Sequence, residues 1–370
     1  MALQYRAAVL HAPQTPLSVE TVSAASLKPT DVLVRICAAG LCHTDLEVIE
    51  GSLRYPLPIV LGHEAAGVVE QVGPAARGVR IGDHVVLSWN PHCGHCFYCD
   101  RDSPILCEEY LGGGPNARAF DGESRAMLAD GRDLQQLMFL GSFGEYCIVA
   151  DQQAIPIQKE IPFDRACLIG CGVMTGVGAA LNLGAIAHGD TVMVIGCGAV
   201  GLAAVQGARL AGAGAIIAVD LDPVKLALAA RMGATHGVNT TTDDVTAAGR
   251  RETAGRGVDV VIESAGSASA FRTTSEAVRP GGQVIWLGKI DVNQDVSFRW
   301  GSLMQEKRIR RVSYGNARPR RDFPLLARAY LDGSLLLDEL ISRRITLDEI
   351  NDGFAALKQG TTIRSVITFD

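Results

Sequence analysis

The stretch TVMVIGCGAVG, residues 191–201, decides the fold class of this 370-residue chain. The apolar run Thr191–Ile195 predicts a buried strand, and the glycine-rich turn that follows it opens a helix rich in Ala and Leu. Because glycine has no Cβ, such a turn lets a pyrophosphate approach the backbone, where the helix N-terminus supplies amide donors. Gly196, Gly198 and Gly201 are therefore predicted to bind a dinucleotide.

The next predicted strand, Ala215–Val219, ends at Asp220, 19 residues after Gly201. A carboxylate at this point of a βαβ unit accepts hydrogen bonds from the ribose hydroxyls. It also repels the 2′-phosphate of NADP, and residues 221–223 provide no arginine that could bind that phosphate. The sequence therefore predicts NAD as cofactor, against the alternative of an α/β fold that binds no nucleotide.

Strands and helices alternate around this turn, which predicts an α/β fold with a doubly wound parallel sheet. Upstream the chain carries short strands and turns, and downstream a Leu-rich helical stretch precedes a last strand that is predicted to return to the first domain. The other predicted strands lie at 32–37, 67–72, 83–87, 258–262, 283–287 and 365–369. The predicted domains are a β-rich one formed by 1–171 and 315–370, and a dinucleotide-binding one formed by 172–314.

Composition and charge narrow the class of partner. The chain is 48% hydrophobic and carries 34 Lys and Arg against 40 Asp and Glu, a net charge of −6. This balance predicts no general attraction to nucleic acid or anionic membranes, and the basic run from Arg308 to Arg321 is interpreted as a solvated face or loop.

The N-terminus lacks the features of a secretory signal, and no uninterrupted apolar run reaches about 18 residues. A soluble, cytoplasmic protein is expected.

Four of the ten cysteines lie close together in the sequence, at positions 93, 96, 99 and 107. Four thiolates satisfy tetrahedral zinc with no open position, which is typical of a structural site. Disulfides are the alternative, and they fit an intracellular chain poorly. Cys93, Cys96, Cys99 and Cys107 are therefore predicted to bind a structural zinc, with the neighbouring His92 and His95 as bystanders.

Three further segments carry residue types that bind a catalytic metal: Cys42-His-Thr-Asp45, Gly62-His-Glu64 and Gly170-Cys-Gly172. Two thiolates, one imidazole and an open fourth position make a catalytic zinc site. Sequence spacing does not show that these segments converge, and each taken singly is more typical of a core cysteine or histidine. The remaining cysteines, 37, 147, 167 and 197, are interpreted as core thiols.

In the order and spacing of these motifs, nearly the whole chain resembles the zinc-containing alcohol dehydrogenases of the medium-chain dehydrogenase/reductase superfamily. The resemblance rests on Cys42–Asp45, Gly62–Glu64, the four-cysteine segment, Cys171, the glycine-rich turn with Asp220, and the ending Ile363–Phe369. It implies a GroES-like catalytic domain beside a Rossmann domain. It also implies NAD and two zinc ions per subunit, and hydride transfer between an alcohol and the nicotinamide.

The resemblance further implies a role for each matching residue. Cys42, His63 and Cys171 match the catalytic zinc ligands, and Glu64 matches a residue that approaches the metal when its ligands rearrange. Asp45 matches the carboxylate that orients the zinc-binding imidazole, and Thr44 matches the hydroxyl that accepts the substrate proton. The implied cofactor contacts are His43 and Arg364 with the pyrophosphate, Lys225 with the adenosine ribose, and Thr175 and Val200 with the nicotinamide.

One position departs from the family pattern. Many members have a histidine five residues after the first zinc cysteine, where it passes the proton to solvent, and this chain has Glu47. Glu47 either takes over that role through the ribose hydroxyl or is a surface side chain while the proton leaves through water.

Matching to the family also places Leu53, Trp89, Phe139 and Leu140 in the substrate pocket. These apolar side chains favour an apolar or aromatic primary alcohol. A glutathione-adduct formaldehyde dehydrogenase is the alternative enzyme, although residues 51–54, GSLR, lack the acidic residue of that group. A catalytically silent NAD-binding protein is the alternative from another class. The segment 111–143 matches an insertion of dimeric members, which implies a homodimer with the strand 283–287 near its interface.

Overall fold

The computed structural model describes residues 3–113 and 117–369, so residues 114–116 of the segment 111–143 lie outside the described residues. The chain divides into two compact units, unit 1 with residues 1–171 and 318–370, and unit 2 with residues 172–317. The second boundary therefore falls three residues after the predicted one. Gly315, just beyond position 314, accepts a hydrogen bond from Asn182 (3.1 Å), which lies in unit 2.

The strands are β1 (Gln4–Leu10), β2 (Ser18–Ala24), β3 (Asp31–Gly40), β4 (Ile59–Val60), β5 (Ala65–Val72), β6 (His84–Leu87), β7 (Ala126–Leu128), β8 (Asp133–Gln136), β9 (Tyr146–Ala150), β10 (Ala154–Pro156), β11 (Thr191–Ile195), β12 (Ala215–Asp220), β13 (His236–Asn239), β14 (Val258–Glu263), β15 (Val278–Trp286), β16 (Arg308–Arg311), β17 (Arg343–Ile345) and β18 (Ser365–Thr368). The helices are α1 (His43–Glu50), α2 (Glu108–Gly113), α3 (Phe163–Leu168), α4 (Met174–Gly178), α5 (Ala199–Leu210), α6 (Pro223–Arg231), α7 (Val245–Arg251), α8 (Ala268–Ala277), α9 (Pro319–Leu331) and α10 (Ile350–Lys358).

Unit 1 is built from short strands, as its sequence predicts. β1, β2, β7, β8 and β4 close into a small barrel, and a second sheet has the order β10-β6-β5-β3-β18-β17 with β9 also paired to β3. β18 runs antiparallel to β3, with Val366 opposite Gly40. This pairing confirms that the last strand returns to the first domain, and it brings Arg364 close to the start of α1.

Unit 2 contains a six-stranded sheet of order β13-β12-β11-β14-β15-β16, in which each pair of neighbours is parallel. Every residue of β11 is buried, which is typical of a central strand covered on both faces by helices. The predicted doubly wound parallel sheet is confirmed. Parallel strands end at one edge of a sheet, so β11, β12 and β14 place Gly196, Asp220 and Glu263 along the same edge.

The predicted strand 283–287 forms the second half of β15, one strand in from the edge of this sheet. The edge strand itself is β16, which is part of the basic run interpreted from sequence as a solvated face or loop. Its side chains are largely exposed, and with three arginines in four residues it lacks the apolar alternation that identifies a strand from sequence.

One helical run, Phe163–Leu183, is long and apolar enough to cross a membrane by length and composition, with a mean hydropathy of 1.7. It includes α3 and α4, and 78% of its apolar window is buried inside the protein. A helix that is apolar on all sides and covered by protein is typical of a core helix.

Candidate metal and dinucleotide sites

Three segments of unit 1 bring two sulfurs and one imidazole together. Cys42 immediately precedes α1, His63 lies between β4 and β5, and Cys171 lies in the helical run 163–183. Their ligating atoms all lie within 4.8 Å of one another, and Cys171 Sγ lies 3.3 Å from His63 Nε2. The structure thus brings together the three residues that the sequence predicts as ligands of the catalytic metal.

These donors fit zinc. Thiolate sulfur and imidazole nitrogen are the usual zinc ligands, and a site with three protein ligands keeps the fourth tetrahedral position for substrate. Among the described residues, no fourth Cys, His, Asp or Glu places a ligand atom within this group of Cys42, His63 and Cys171. The donor set is therefore that of a catalytic rather than a structural zinc site.

Asp45 connects the segment that carries Cys42 to the segment that carries His63. Its Oδ2 accepts a hydrogen bond from the backbone N–H of Cys42 (3.2 Å), and its Oδ1 accepts one from the N–H of Gly62 (2.9 Å). The same Oδ1 lies 3.1 Å from His63 Nδ1, and both side chains are almost completely buried. A carboxylate at Nδ1 favours the tautomer in which Nε2 is free to bind a metal.

The protonation of the three ligands follows from this crowding. Burial alone would lower the pKa of His63, but the Asp45 carboxylate and the Cys42 sulfur raise it on balance. The pKa of Cys42 is lowered because the Cys171 thiol donates to its sulfur, and the pKa of Cys171 is raised by that shared proton and by burial. Zinc binding must therefore displace protons from His63 and Cys171, so zinc affinity should rise with pH.

Glu64 and Arg364 form a buried ion pair beside these ligands. Arg364 Nε lies 3.1 Å from Glu64 Oε1, and Arg364 Nη1 donates to the carbonyl of Leu41 (2.7 Å). Gly40 makes room for the pair, because a Cβ at that position would lie 2.2 Å from Glu64 Oε1. Arg364 thus joins β18 to the segment before α1, whereas its pyrophosphate contact and the approach of Glu64 to the metal stay predictions.

The first turn and a half of α1 carries the residues expected to handle the substrate proton. Thr44 and Glu47 are half-buried, and residues three apart lie on the same face of a helix. Asp45 and Val48 are buried on another face, and His43 is exposed. The geometry is compatible with a path from Thr44 to Glu47, and the role of His43 at the pyrophosphate stays a prediction.

Replacing Asp45 with asparagine should lower zinc affinity by about 10- to 100-fold, the usual cost of losing an outer carboxylate partner. The asparagine amide keeps the size of the side chain but lacks the charge that stabilises the proton on His63 Nδ1. Competition against a chromophoric chelator measures the affinity, and Asp130→Asn, at an exposed turn, is the control. Equal zinc affinities of Asp45→Asn and the wild-type protein would contradict this role.

The four cysteines 93, 96, 99 and 107 also converge in unit 1. Their sulfur atoms lie within 4.8 Å of one another, and Cys93 Sγ lies 4.0 Å from Cys99 Sγ. Backbone N–H groups of Glu108 and Cys99 lower the pKa of Cys96 to about 6. All ten cysteines are free thiols in this structure, and the set of four sulfurs with no open position fits a structural zinc.

Replacing Cys99 with serine should remove one zinc per subunit and lower the melting temperature by about 5–10 °C, since a structural zinc contributes its binding energy to folding. Elemental analysis and thermal unfolding measure both effects. Cys37→Ser, at a half-buried thiol outside both clusters, is the matched control. Unchanged zinc content in Cys99→Ser would show that the four thiols do not hold a metal.

The glycine-rich turn of unit 2 is shaped by close backbone contacts. Gly196 has φ +92°, and a Cβ on it would lie 2.7 Å from the backbone nitrogen of Ala265. A Cβ on Gly201 would lie 1.7 Å from the carbonyl oxygen of Gly196, whereas Gly198 faces open space at the start of α5. The turn thus leaves the α5 N-terminus uncovered at Gly198, where a pyrophosphate is predicted to bind.

Asp220 ends β12 next to this turn and is partly exposed. Its Oδ2 accepts a hydrogen bond from the N–H of Cys197 (2.7 Å), and its Oδ1 accepts one from the N–H of Asp222 (3.0 Å). These bonds fix the carboxylate beside the turn while each oxygen keeps a second lone pair. Lys225, on the following helix α6, is half-buried.

The two residues predicted to pack on the nicotinamide lie on neighbouring helices of unit 2. Thr175 belongs to α4 and Val200 to α5, and both are half-buried. Gly176 allows the two helices to approach, because a Cβ on it would lie 2.2 Å from the carbonyl oxygen of Val200.

Glu263 is a buried carboxylate beside the turn that sequence reasoning missed. Its Oε1 accepts a hydrogen bond from the N–H of Gly266 (2.7 Å), and its carbonyl accepts one from Leu287 (2.8 Å). The adjacent Ser264 donates through Oγ to the carbonyl of Gly196 (2.9 Å). Glu263 thus organises the loop that supports the glycine-rich turn, and the sequence signal was a carboxylate directly after the predicted strand 258–262.

The predicted pocket residues differ in exposure. Trp89 and Phe139 belong to an aromatic cluster, in which Tyr110 lies 6.2 Å from Trp89 and 5.7 Å from Phe139 between ring centroids, and Phe120 lies 5.1 Å from Phe139. Leu53 is half-buried and lines a cavity of about 380 Å³ with Tyr55. Leu140 and Phe139 are both buried, Leu140 in the core of unit 1, and the place of the four residues in a substrate pocket stays a prediction.

Comparison with known proteins agrees with this geometry. Residues 28–159 match the family described as alcohol dehydrogenase GroES-like domain, and residues 199–331 match zinc-binding dehydrogenase. S-(hydroxymethyl)glutathione dehydrogenase of Aspergillus oryzae is 36% identical over 98% of this chain and 95% of its own. The NDMA-dependent alcohol dehydrogenase of Amycolatopsis methanolica is 36% identical over 99% of each chain. The crystal structure of benzyl alcohol dehydrogenase from Acinetobacter calcoaceticus is 30% identical, covers 100% of both chains and has a TM-score of 0.94.

The matched families and full-length relatives define a class of zinc-binding oxidoreductases. This chain belongs to the zinc-dependent alcohol dehydrogenases of the medium-chain dehydrogenase/reductase superfamily. Unit 1 contains its GroES-like domain, and unit 2 is its Rossmann-like domain.

Proposed function

We propose that this enzyme oxidises apolar, preferably aromatic, primary alcohols with NAD, and reduces the corresponding aldehydes. The observation that supports a metal-centred oxidation is the group of buried Cys42 and His63 with half-buried Cys171, in which Asp45 is hydrogen-bonded to the imidazole. The aromatic cluster of Trp89, Tyr110, Phe120 and Phe139 supports the choice of substrate. Aromatic side chains bind an aromatic ring through area burial and edge-to-face contacts.

In this proposal Cys42, His63 and Cys171 hold the catalytic zinc, and the four-cysteine group holds a second zinc. Bound zinc supplies a Lewis acid that lowers the pKa of a hydroxyl and polarises a carbonyl. Thr44 accepts the hydroxyl proton at Oγ1 as it gives up its own hydroxyl proton, and that proton passes on to the Glu47 carboxylate on the same face of α1. An unchanged pH–rate profile for Glu47→Gln would remove Glu47 from this path.

The dinucleotide side of the proposal rests on unit 2. Gly196, Gly198 and Gly201 admit the pyrophosphate to the α5 N-terminus, and Asp220 accepts from the ribose hydroxyls and selects NAD. The cofactor accepts the hydride, while the protein supplies placement and charge. Lys225, Thr175 and Val200 are proposed as further contacts of NAD in unit 2, and His43 and Arg364 as pyrophosphate contacts from unit 1.

We also propose a cytoplasmic homodimer. Free thiols that bind metal persist in a reducing compartment, which supports the cytoplasm. The exposed edge strand β16 has unpaired backbone groups that a second copy can pair with, and the neighbouring Trp300 and Met304 are largely exposed. Sedimentation of the purified protein tests the homodimer. A species with the mass of one chain at micromolar concentration would contradict the dimer.

The substrate proposal is tested by NADH formation with benzyl alcohol, hexanol, ethanol, and formaldehyde with glutathione. We expect the highest kcat/KM with benzyl alcohol. Trp89→Ala should lower that value by about 10- to 100-fold, since a buried aromatic contact is worth about 1.5–3 kcal/mol, and should affect ethanol much less. Phe97→Ala, at an exposed aromatic of the same unit, is the control.

The other outcomes separate the alternatives. Turnover only of formaldehyde with glutathione would overturn the aromatic substrate and favour the activity named for the Aspergillus relative. Activity that appears only after NDMA is added would show that turnover needs an external acceptor, and would favour the activity named for the Amycolatopsis relative. No turnover under any of these conditions, with zinc and NAD bound, would favour a catalytically silent protein.

A further inference from the structure

Unit 2 contains an open cavity whose lining residues include none of those assigned above to NAD or zinc. It has a volume of about 630 Å³ and lies between α7, α8 and the segment that precedes β16. Small-molecule sites usually have volumes of about 300–1,000 Å³. The cavity is therefore large enough for a ligand of its own.

The cavity has a surplus of cations. Arg250 of α7, together with Arg299 and Lys307 from the segment before β16, lines it alongside two carboxylates, Asp244 and Glu276. Asp244 accepts a hydrogen bond from the N–H of Ala247 (2.9 Å). Glu276 lies 3.6 Å from Arg299, so it pairs with one of the three cations of the cavity. In the part of the chain that the structure describes, neither Arg250 nor Lys307 has a carboxylate at ion-pair distance.

Lys307 is held in place by the protein backbone rather than by a counter-ion. Its Nζ donates to the carbonyl of Ser275 (2.7 Å), and the side chain is half-buried. The hydroxyl of Ser275 donates to Ser302 Oγ (3.0 Å), which in turn donates to the carbonyl of Arg299 (2.7 Å). Burial lowers the pKa of Lys307 and the charges of Arg250 and Arg299 add to the effect, while the Glu276 carboxylate opposes it. An anion placed among these three groups would relieve the repulsion.

We propose that this cavity binds a small anion that carries a phosphate group, with Lys307, Arg250 and Arg299 as its contacts. Two cations without ion pairs match the two negative charges of a phosphate monoester. Arginine binds phosphate oxygens in a bidentate fork, and lysine contributes a compact positive charge. The site is separate from the proposed pyrophosphate contact at the glycine-rich turn, so it can be filled while NAD is bound.

Calorimetric titration of the zinc-loaded, NADH-saturated enzyme with inorganic phosphate tests this, because NADH keeps phosphate from the glycine-rich turn. Sodium chloride at equal ionic strength is the blank. We expect saturable binding that Arg250→Gln and Lys307→Met each weaken about tenfold, a loss of about 1.4 kcal/mol. Arg251→Gln, at the exposed arginine next to Arg250 that does not line the cavity, should bind phosphate like the wild-type protein.

Three results would overturn the proposal. One is the lack of saturable binding up to about 20 mM phosphate, well above the millimolar affinity that corresponds to about 4 kcal/mol. Another is an equal loss in Arg251→Gln, which would indicate attraction to surface charge in general. The third is an unchanged phosphate affinity in both Arg250→Gln and Lys307→Met, whatever their oligomeric state, which would show that these two cations do not bind the anion. Circular dichroism and NADH binding confirm that each variant is folded.

Discussion

Replacing Cys42 with alanine should lower kcat/KM for the preferred alcohol by at least about 10³-fold, because the Lewis acid contributes several kcal/mol to the transition state and about 1.4 kcal/mol corresponds to a tenfold change in rate. The variant loses one of three ligands whose atoms lie within 4.8 Å of one another. It should keep the zinc bound by the four cysteines and its affinity for NAD. Steady-state NADH formation, zinc content and NADH fluorescence titration measure the three quantities.

Cys147→Ala is the matched control for this experiment. Cys147 is a completely buried free thiol of the same unit, outside both cysteine clusters. Its loss should lower stability modestly and leave zinc content and kcat unchanged. If Cys42→Ala kept more than a tenth of the wild-type activity, the assignment of Cys42 to the catalytic metal would be wrong.

Replacing Asp220 with asparagine should lower kcat/KM for NAD by about 10- to 100-fold, since a hydrogen bond to a charged group contributes about 1.5–3 kcal/mol. The same change should raise kcat/KM for NADP, because it removes the negative charge that would face the 2′-phosphate. The asparagine oxygen can still accept from the N–H of Cys197 or Asp222, so the turn should keep its shape. Kinetics with both cofactors at a fixed alcohol concentration measure the change in preference.

Asp222→Asn provides the control for Asp220→Asn. Asp222 lies two residues further on, and its side chain accepts a hydrogen bond from the N–H of Val224 at the start of α6. A change there should alter stability slightly and leave the NAD preference intact. An unchanged ratio of NAD to NADP efficiency in Asp220→Asn would show that this carboxylate does not select the cofactor.

The sequence predicts best where the chemistry is local. The glycine-rich turn follows its strand directly, and four cysteines within fifteen residues can surround one ion, so neither needs the tertiary fold to be recognised. Cys42, His63 and Cys171 are different, because they are separated by up to 129 positions. Only the resemblance to a family brought them together in the sequence, and in the structure the contacts of Asp45 with Cys42, Gly62 and His63 account for part of that arrangement.

Features that depend on tertiary packing were missed. β16 has arginines on both faces and forms a strand because β15 offers it backbone partners, which no residue pattern reveals. The role of Glu263 depends on loops that meet at the carboxyl edge of the sheet, so the sequence shows only an unusual carboxylate at a strand end.

Hydride transfer at the zinc site is tested most directly by a single-turnover reaction of zinc-loaded enzyme and NAD with benzyl alcohol that carries deuterium at both positions of its alcohol carbon. We expect mass spectrometry to find one deuterium in the reduced cofactor, whether the cofactor is released or stays bound, and none with Cys42→Ala. Reduced cofactor without deuterium, or labelled cofactor formed equally by Cys42→Ala, would contradict hydride transfer from the alcohol at this metal site.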